Sequence, residues 1–322
     1  MKDQRLYPLF LLTQSIRTFF TQNGFLDIIT PPMVKNPGME THIHPFEVVS
    51  AANRKTSGSY LHTSPEFHMK ELLSWGYEKI FTLGYCFRDE NKSPIHRQQF
   101  VMLEWYRANS RYESIMEDCE KLLAFCVSEF KRNGIAISGD FLSSPFCKMT
   151  VQELFFKFLS VDILSFLEIG KIKKLLLDTF PEAPCPAGDD LAWDDYFFLL
   201  FLNKIEPRLK EIPLLILYEY PYHLSALSTI KATDSRVCER FEIYIHGVEI
   251  GNCFNELCDI NIQKERFHQQ HAAKKKLYGY SLPTPQVLFN ALERGLPPSA
   301  GIAVGVERLM MALTGRPDLF WD

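Results

Sequence analysis

The sequence predicts an α+β fold, and three observations carry that expectation. Two runs, 81–88 and 100–106, alternate with the period of a strand. Phe81, Leu83, Tyr85 and Phe87 stand against Thr82, Gly84, Cys86 and Arg88; Val101, Leu103 and Trp105 stand against Phe100, Met102, Glu104 and Tyr106. A further stretch, 241–252, reads as a hairpin: Phe241, Ile243 and Ile245 alternate with Glu242, Tyr244 and His246, and His246-Gly247 turns the chain. Segments such as 8–22 and 114–131 carry apolar residues at helical spacing instead. No repeat and no low-complexity linker separates these elements.

Composition narrows the function classes. At 322 residues the chain can form one large domain or two modest ones. An apolar content of 46% and a charged content of 23% match an ordinary soluble globular protein. The net charge of -4 offers no basic face for a long nucleic acid, which argues against tRNA as the main partner. Eight cysteines contain no CxxC pair and no regular histidine partner spacing, so they read as buried thiols of a reducing compartment. The short N-terminal apolar run lacks a small-residue cleavage site and no stretch reaches membrane length, so the expected location is cytoplasmic, with no membrane partner.

Taken in order, 8–22 predicts a helix through Leu9, Leu12, Ile16, Phe19 and Phe20, stopped by Asn23-Gly24. A strand over 25–30 follows, closed by Pro31-Pro32. Residues 34–64 are turn-rich, and His42 and His44 lack a third ligand. Ser64 as N-cap, Pro65 at the first position and Glu66 in the first turn open a helix that turns Met69, Leu72 and Leu73 inward and ends by Gly76. The loop after Arg88 carries Asp89, Glu90, Lys92, His96 and Arg97, too polar to be buried unpaired and too long for a tight hairpin. Arg88 closing one strand and Glu104 inside the next point to a bound partner, because an ion on an apolar sheet needs one. Helices over 114–131, 154–166, 172–180 and 193–203, a loop over 181–188 and a buried strand over 213–218 are core-forming patterns.

The hairpin brings Glu242 and Glu249 close on neighbouring strands. Their repulsion calls for a cation, and Mg2+ carrying phosphates fits; two carboxylates on a solvated edge is the competing reading. Glu256 lies seven residues beyond Glu249, so it shares that face only if the strand bulges, for which Gly251 is suited, or if it stands off the strand. Residues 301–305 form a glycine-spaced strand running into a helix with Arg308 in its first turn, suited to close backbone approach and to a phosphate.

Arg88-Asp89-Glu90 at a strand end, followed by His96, Phe100 and a second strand, resembles motif 2 of the class II aminoacyl-tRNA synthetases. GIAVGVERL, 301–309, resembles motif 3, and Gly24-Phe25 through Thr30-Pro31-Pro32-Met33 resembles motif 1. The motifs stand in family order and span almost the whole chain. Within the class the likeness is greatest to lysyl-tRNA synthetases and, closer still, to their truncated relatives, the elongation factor P lysine ligases. The resemblance implies a catalytic domain with a mainly antiparallel sheet flanked by helices. It also implies a homodimer through the first helix and strand, although the residues fit a helix capping its own domain equally well. Lysyl-tRNA synthetases carry an anticodon-binding OB barrel of about a hundred residues before motif 1. Only seven residues precede Pro8, so the expectation is a single catalytic domain over 1–322 without that barrel.

The family likeness also implies roles. ATP, with Mg2+, activates lysine or (R)-beta-lysine as an adenylate, and the acyl group passes to a lysine side chain of elongation factor P. Arg88 and Arg308 are the implied catalytic residues, Arg88 bridging the alpha-phosphate and the amino-acid carboxylate. Glu90 reads the adenine amino group, Phe100 and Arg308 hold the base or the phosphate tail, and His96 and Arg97 reach the outer phosphates. Asp89, Glu249, Ile250 and Gly305 complete the ATP site, and Glu242 and Glu249 hold the metal. Ser64, Pro65, Glu66, Glu104, Tyr106, Asn252, Glu256 and Ala303 form the amino-acid pocket, with Glu66 on the alpha-ammonium and Glu256 on the side-chain ammonium. So much negative charge selects a diamine and rejects aspartate. Ala303 replaces the glycine usual in lysyl-tRNA synthetases and matches the ligase group, a shape change that favours (R)-beta-lysine. His96-Arg97-Gln98-Gln99 departs from the usual HNPEF, so the loop contacts differ. A minimal lysyl-tRNA synthetase and a catalytically silent amino-acid-binding regulator are the other readings.

Overall fold

The computed structural model describes residues 6–91, 93, 96–139, 145–180 and 191–316; Lys92 and the loop expected over 181–188 lie outside them. In chain order the elements are α1 (Tyr7–Gln22), β1 (Leu26–Asp27), β2 (Met33–Val34), β3 (Glu47–Val49), β4 (Thr56–Leu61), α2 (Glu66–Ser74), β5 (Lys79–Phe87), β6 (Gln99–Ala108) and α3 (Tyr112–Arg132). Next come β7 (Cys147–Thr150), α4 (Val151–Leu159), α5 (Ile169–Thr179), α6 (Trp193–Leu200), β8 (Leu214–Tyr218), β9 (Arg240–Ile245) and β10 (Val248–Asn255). The chain ends with α7 (Ile260–Tyr278), α8 (Gln286–Arg294), β11 (Ser299–Gly305) and α9 (Val306–Thr314). Two compact units result, Met1–Gly139 with Asn255–Asp322, and Asp140–Phe254.

In the first unit the strand order is β1-β5-β6-β11. Strand β6 is antiparallel to both neighbours, pairing Glu104 with Thr82 and Ala303, Tyr106 with Gly301, and Phe100 with Cys86. The period of two then divides β6 into two faces. Phe100, Met102, Glu104 and Tyr106 share one with the glycine-spaced row of β11. Trp105 and Arg107 share the other, where Trp105 packs 5.0 Å from Phe20 of α1, which itself stacks on Phe81 at 4.9 Å. Helix α3 is pinned to that face by Asp118, whose carboxylate accepts from Arg107 at 2.6 and 2.7 Å and from the Trp105 indole at 3.3 Å. A small antiparallel sheet, β2-β4-β3, lies in the same unit.

The second unit has the strand order β10-β9-β8-β7, with β9 antiparallel to both neighbours. Val151, Phe155, Phe197, Leu215 and Leu217 form the centre of its core. The hairpin turns as expected: His246 and Gly247 have φ of 47° and 80°, the paired positive values of a primed two-residue turn. A side chain at Gly247 would begin 3.0 Å from the Lys210 nitrogen, so glycine is required there for space as well. Among the described residues the sheets are mainly antiparallel and flanked by helices, as the motifs imply; β1-β5 and β7-β8 are parallel pairs.

Several boundaries differ from expectation for local reasons. The strand expected over 25–30 shrinks to two residues plus one bond from Ile28 N to Phe81 O (2.9 Å), because Pro31 and Pro32 offer no N–H to continue it. Helix α2 begins at Glu66 with Pro65 in the cap position. Ser64, expected there, still accepts from Glu66 N at 3.1 Å but turns its hydroxyl proton to Glu104. The helix expected over 154–166 ends at Leu159, where Ser160 takes a left-handed φ of 56°. Helix α6 stops at Leu200 and widens into a π-helical stretch, Phe201–Ile205.

Asp118→Ala leaves a partly buried guanidinium and a buried indole N–H without their acceptor. The expected loss is about 3–5 kcal/mol, read from the urea unfolding midpoint at constant slope.

Candidate active site

Besides Asp118, three carboxylates among the described residues of the first unit are nearly out of solvent, Glu104 at 0%, Glu256 at 2% and Glu66 at 8% exposure, and the ammonium of Lys70, at 1%, sits among them. Lys70 Nζ lies 2.5 Å from Glu66 Oε1 and 2.6 Å from Glu256 Oε2. Glu66 and Lys70 meet because they are four apart on α2. Glu256 is set by its own N–H, which donates to Ser299 O at 2.8 Å beside β11. Its Oε1 is buried and without a hydrogen-bond partner among the described residues.

Among the described residues no cation forms an ion pair with Glu104; two hydroxyls hold it. Ser64 Oγ donates to Oε1 at 2.5 Å and Tyr106 OH donates to Oε2 at 3.2 Å. Burial first, then the nearby Glu66, pushes its carboxyl up to about 8, against the pull of those two bonds. Burial likewise pushes Glu256 up to about 8 and raises Glu66, each opposed by Lys70. Lys70 itself is held above its usual value: burial would lower it, but Glu256 and Glu66 outweigh burial. The short contacts favour the ion-paired form of this cluster.

Tyr106 can lie across β11 because its partner is glycine. A methyl at Gly301 would fall 2.1 Å from the tyrosine ring. Ala303 is directly opposite Glu104, so its methyl stands beside the buried carboxylate.

The arginine side of the site is built around the end of β5. Arg88 stacks over the Phe100 ring at 5.3 Å, and its Nε is buried with no hydrogen-bond partner among the described residues. Such an orphaned donor suits an anion. Arg88 N donates to Gln98 O at 2.9 Å, closing the intervening loop. His96 bonds Ser93 Oγ at 2.9 Å; burial lowers its pKa first, then Arg308, with Arg88 acting in the same sense and Glu90 in the opposite one. These four expected residues therefore share one electrostatic neighbourhood. Asp89 is exposed and accepts from Gln98 Nε2 at 3.4 Å, while the charge of Arg97 partly opposes the burial that raises the Glu307 carboxyl. Gly305 runs into α9, where a side chain would begin 3.8 Å from Arg308 Cβ.

Glu242, Glu249, Ile250 and Asn252 belong to the second unit. The register pairs Glu242 with Asn252 and Glu249 with Tyr244, and a bulge between Glu249 and Gly251 keeps Glu249 and Asn252 on one face of β10. Strand β10 ends at Asn255, so Glu256 stands off the strand. A cation of the chain itself, Arg240, stands beside Glu242. Its Nη2 pairs with Glu242 Oε1 and its Nε donates to Asn252 Oδ1 at 3.1 Å, while Glu249 raises its pKa as well. The other Glu242 oxygen accepts from Tyr220 OH at 2.5 Å and Tyr244 OH at 2.6 Å. Both Glu242 oxygens are thus engaged by protein donors. Among the described residues no three or more His, Cys, Asp or Glu side chains form a group that could hold a metal. Ile250 is buried.

Sequence reasoning missed Lys70, Arg240 and Glu307. Lys70 is one helical turn after Glu66, and Arg240 is two residues before Glu242 on the same strand face, so spacing alone signalled both. Glu307 precedes Arg308; its carboxylate accepts from Val101 N at 2.8 and 3.0 Å, tying α9 to β6, and burial pushes it up to about 7. The described cysteines are all free thiols, and no described helix is long and apolar enough to cross a membrane.

Comparison with known proteins bears out the resemblance carried by the motifs. A relative from Vibrio cholerae serotype O1, named "Elongation factor P--(R)-beta-lysine ligase", is 34% identical over 307 residues, 95% of this chain and 90% of the relative. Proteins of the same name from Buchnera aphidicola and Yersinia enterocolitica are each 32% identical, over 317 and 306 residues, covering 96% and 94% of this chain and 90% and 89% of their own. The family model described as tRNA synthetases class II (D, K and N) matches residues 9–319, a span that runs through both units. This chain belongs to the class II tRNA synthetase family.

Proposed function

We propose that this chain is an ATP-dependent ligase that activates (R)-beta-lysine, or lysine, as an aminoacyl-adenylate and transfers it to a lysine side chain of elongation factor P. The observation that carries the reading is the excess of buried carboxylate, Glu66, Glu104 and Glu256 against the lone ammonium of Lys70. Such a pocket lowers its own free energy by taking up further cationic charge. The names of the relatives support the acceptor and the beta-isomer, and Ala303 beside Glu104 supports a pocket shaped differently from one lined by glycine.

The first step joins the amino-acid carboxylate to the alpha-phosphorus of ATP and releases pyrophosphate. The nucleophile is already ionised, so alignment and charge stabilisation supply the catalysis. Arg88, with its orphaned Nε, would hold the alpha-phosphate and the attacking carboxylate together. Arg308 and His96 would face the phosphate tail, with Phe100 and Glu90 toward the adenine. Glu66 and Glu256 would each offer an oxygen to a substrate ammonium, steadied by Glu104 and Tyr106. In the second step the acceptor amine attacks the acyl carbon, AMP leaves, and the amine gives up a proton.

Magnesium belongs to this reading as the companion of ATP. Glu249 and Glu242 are oxygen donors on one hairpin face, and the ion when bound would neutralise phosphate charge. The engagement of Glu242 by Arg240 means that no step here depends on it. A homodimer through α1 and β1 is part of the proposal, supported by Leu26 and Ile29 at 50% and 96% exposure. Free thiols support a reducing, cytoplasmic setting.

Pyrophosphate exchange with a panel of amino acids is the direct test: lysine or (R)-beta-lysine should drive it and aspartate should not. Labelled amino acid should then move to elongation factor P. Preferential transfer to tRNA would favour a minimal synthetase, and no exchange with any amino acid would favour a silent regulator. Arg88→Ala is expected to lower exchange about 10²–10³-fold. Glu256→Gln should raise the KM for the lysine-type substrate about 10- to 100-fold while changing the KM for ATP less than about twofold, measured in the same assay.

A further inference from the structure

Among the described residues Lys70 is the one buried cation of the carboxylate cluster. Its position is over-determined. Helix α2 places its ammonium one turn from Glu66, and the chain after β10 brings Glu256 to it, so one Nζ joins two carboxylates from distant parts of the sequence at 2.5 and 2.6 Å. Each carboxylate gives one oxygen to this contact. The second oxygen of Glu256 remains buried and without a hydrogen-bond partner among the described residues.

We propose that Lys70 is a positioning residue for substrate selection: it supplies the positive charge that lets Glu66 and Glu256 stay ionised when buried, and it aims their remaining oxygens at the ammonium groups of the incoming amino acid. This rests on the reading of the cluster as the lysine-type pocket. A buried carboxylate that takes a proton becomes a donor, and a donor facing an ammonium repels it. The surroundings work against ionisation of the pair. Glu40 and Glu104 face Glu66, while Tyr106 and Cys258 are groups whose own ionisation Glu256 disfavours. Arg88 acts on Glu104 in the opposite sense. Among the described residues no other cation forms an ion pair with either glutamate.

The competing explanation is that Lys70 only fills space and ties two segments together. A third is that its ammonium merely occupies the place of a substrate ammonium. Lys70→Met keeps the stem and removes the charge; Lys70→Arg keeps the charge; Lys70→Gln serves as a second neutral variant should the Met variant not fold. In pyrophosphate exchange the neutral variants should raise the lysine KM about 10- to 100-fold with a smaller change in kcat and less than about a twofold change in the ATP KM. The pH at which the lysine KM falls should move up by about one unit or more in the neutral variants and stay in place in Lys70→Arg.

A second measurement needs no substrate. Removing the ammonium raises the folded-state pKa of both carboxyls further above their unfolded values, so folded protein is favoured while they are protonated and loses stability as pH rises. The drop in Tm of a neutral variant relative to the parent should therefore be larger at about pH 8.5 than at about pH 5.5. A drop of equal size at both pH values with an unchanged lysine KM would overturn the proposal in favour of packing. A lower lysine KM in the neutral variants would overturn it in favour of competition for the substrate's place. If the parent shows no lysine-dependent exchange, the pocket reading fails, and the pH dependence of Tm still decides whether Lys70 supplies the charge.

Discussion

Charge taken out of water without full repayment is the constraint on which the first unit depends. Glu66, Glu104 and Glu256 reach their places from the start of a helix, the middle of a strand and the chain just past another strand, and among the described residues Lys70 alone forms ion pairs in the cluster, with Glu66 and Glu256. Isolated ions in such a setting would neutralise themselves or pull the fold apart. The protein meets the cost with short hydrogen bonds, from Ser64 and Tyr106 to Glu104, and leaves part of it outstanding at Glu256. Folds carry unpaid polar groups mostly where a ligand completes them.

The strand that carries Glu104 shows how one element serves two ends. Alternation sends Trp105 and Arg107 into the packing with α1 and α3, while Glu104 and Tyr106 share the opposite face, so rigidity on one side fixes geometry on the other. Across from Tyr106 only a glycine leaves room for the ring, and across from Glu104 a methyl is tolerated. The choice of small residue at successive positions of β11 thus sets the space beside Tyr106 and Glu104. Glu307 adds the last tie, since its grip on Val101 N fixes the helix bearing Arg308 to the same strand.

The second unit resolves its own charge problem internally. Arg240 lies between Glu242 and Asn252 and is stacked 4.6 Å from Tyr220, so the paired acidic side chains that call for a cation find one two residues away. A guanidinium is well suited to this because its planar fork can bond several acceptors while it stacks on an aromatic ring. The segment around Tyr220 closes this arrangement through its hydroxyl bond to Glu242 and through Leu224 O, which accepts from Arg240 at 2.9 Å.

Much of this was legible from residue order because it rests on local periodicity. The two central strands, the turn at His246-Gly247 and the first helix follow from spacing and from the few residues that accept special backbone angles, and the motifs on them were enough to place the chain in its family. That Phe100, Glu104 and Tyr106 share a face was legible for the same reason: a period of two decides which side chains stand together. Partnership across distance was not legible. That Lys70 answers Glu256, that a bulge before Gly251 keeps Glu249 in step with Asn252, and that hydroxyls rather than a cation hold Glu104 depend on which segments the fold brings together. Local spacing determines the face a side chain occupies, but the free energy of a buried charge is set by neighbours tens or hundreds of residues away, and only the tertiary structure decides who they are.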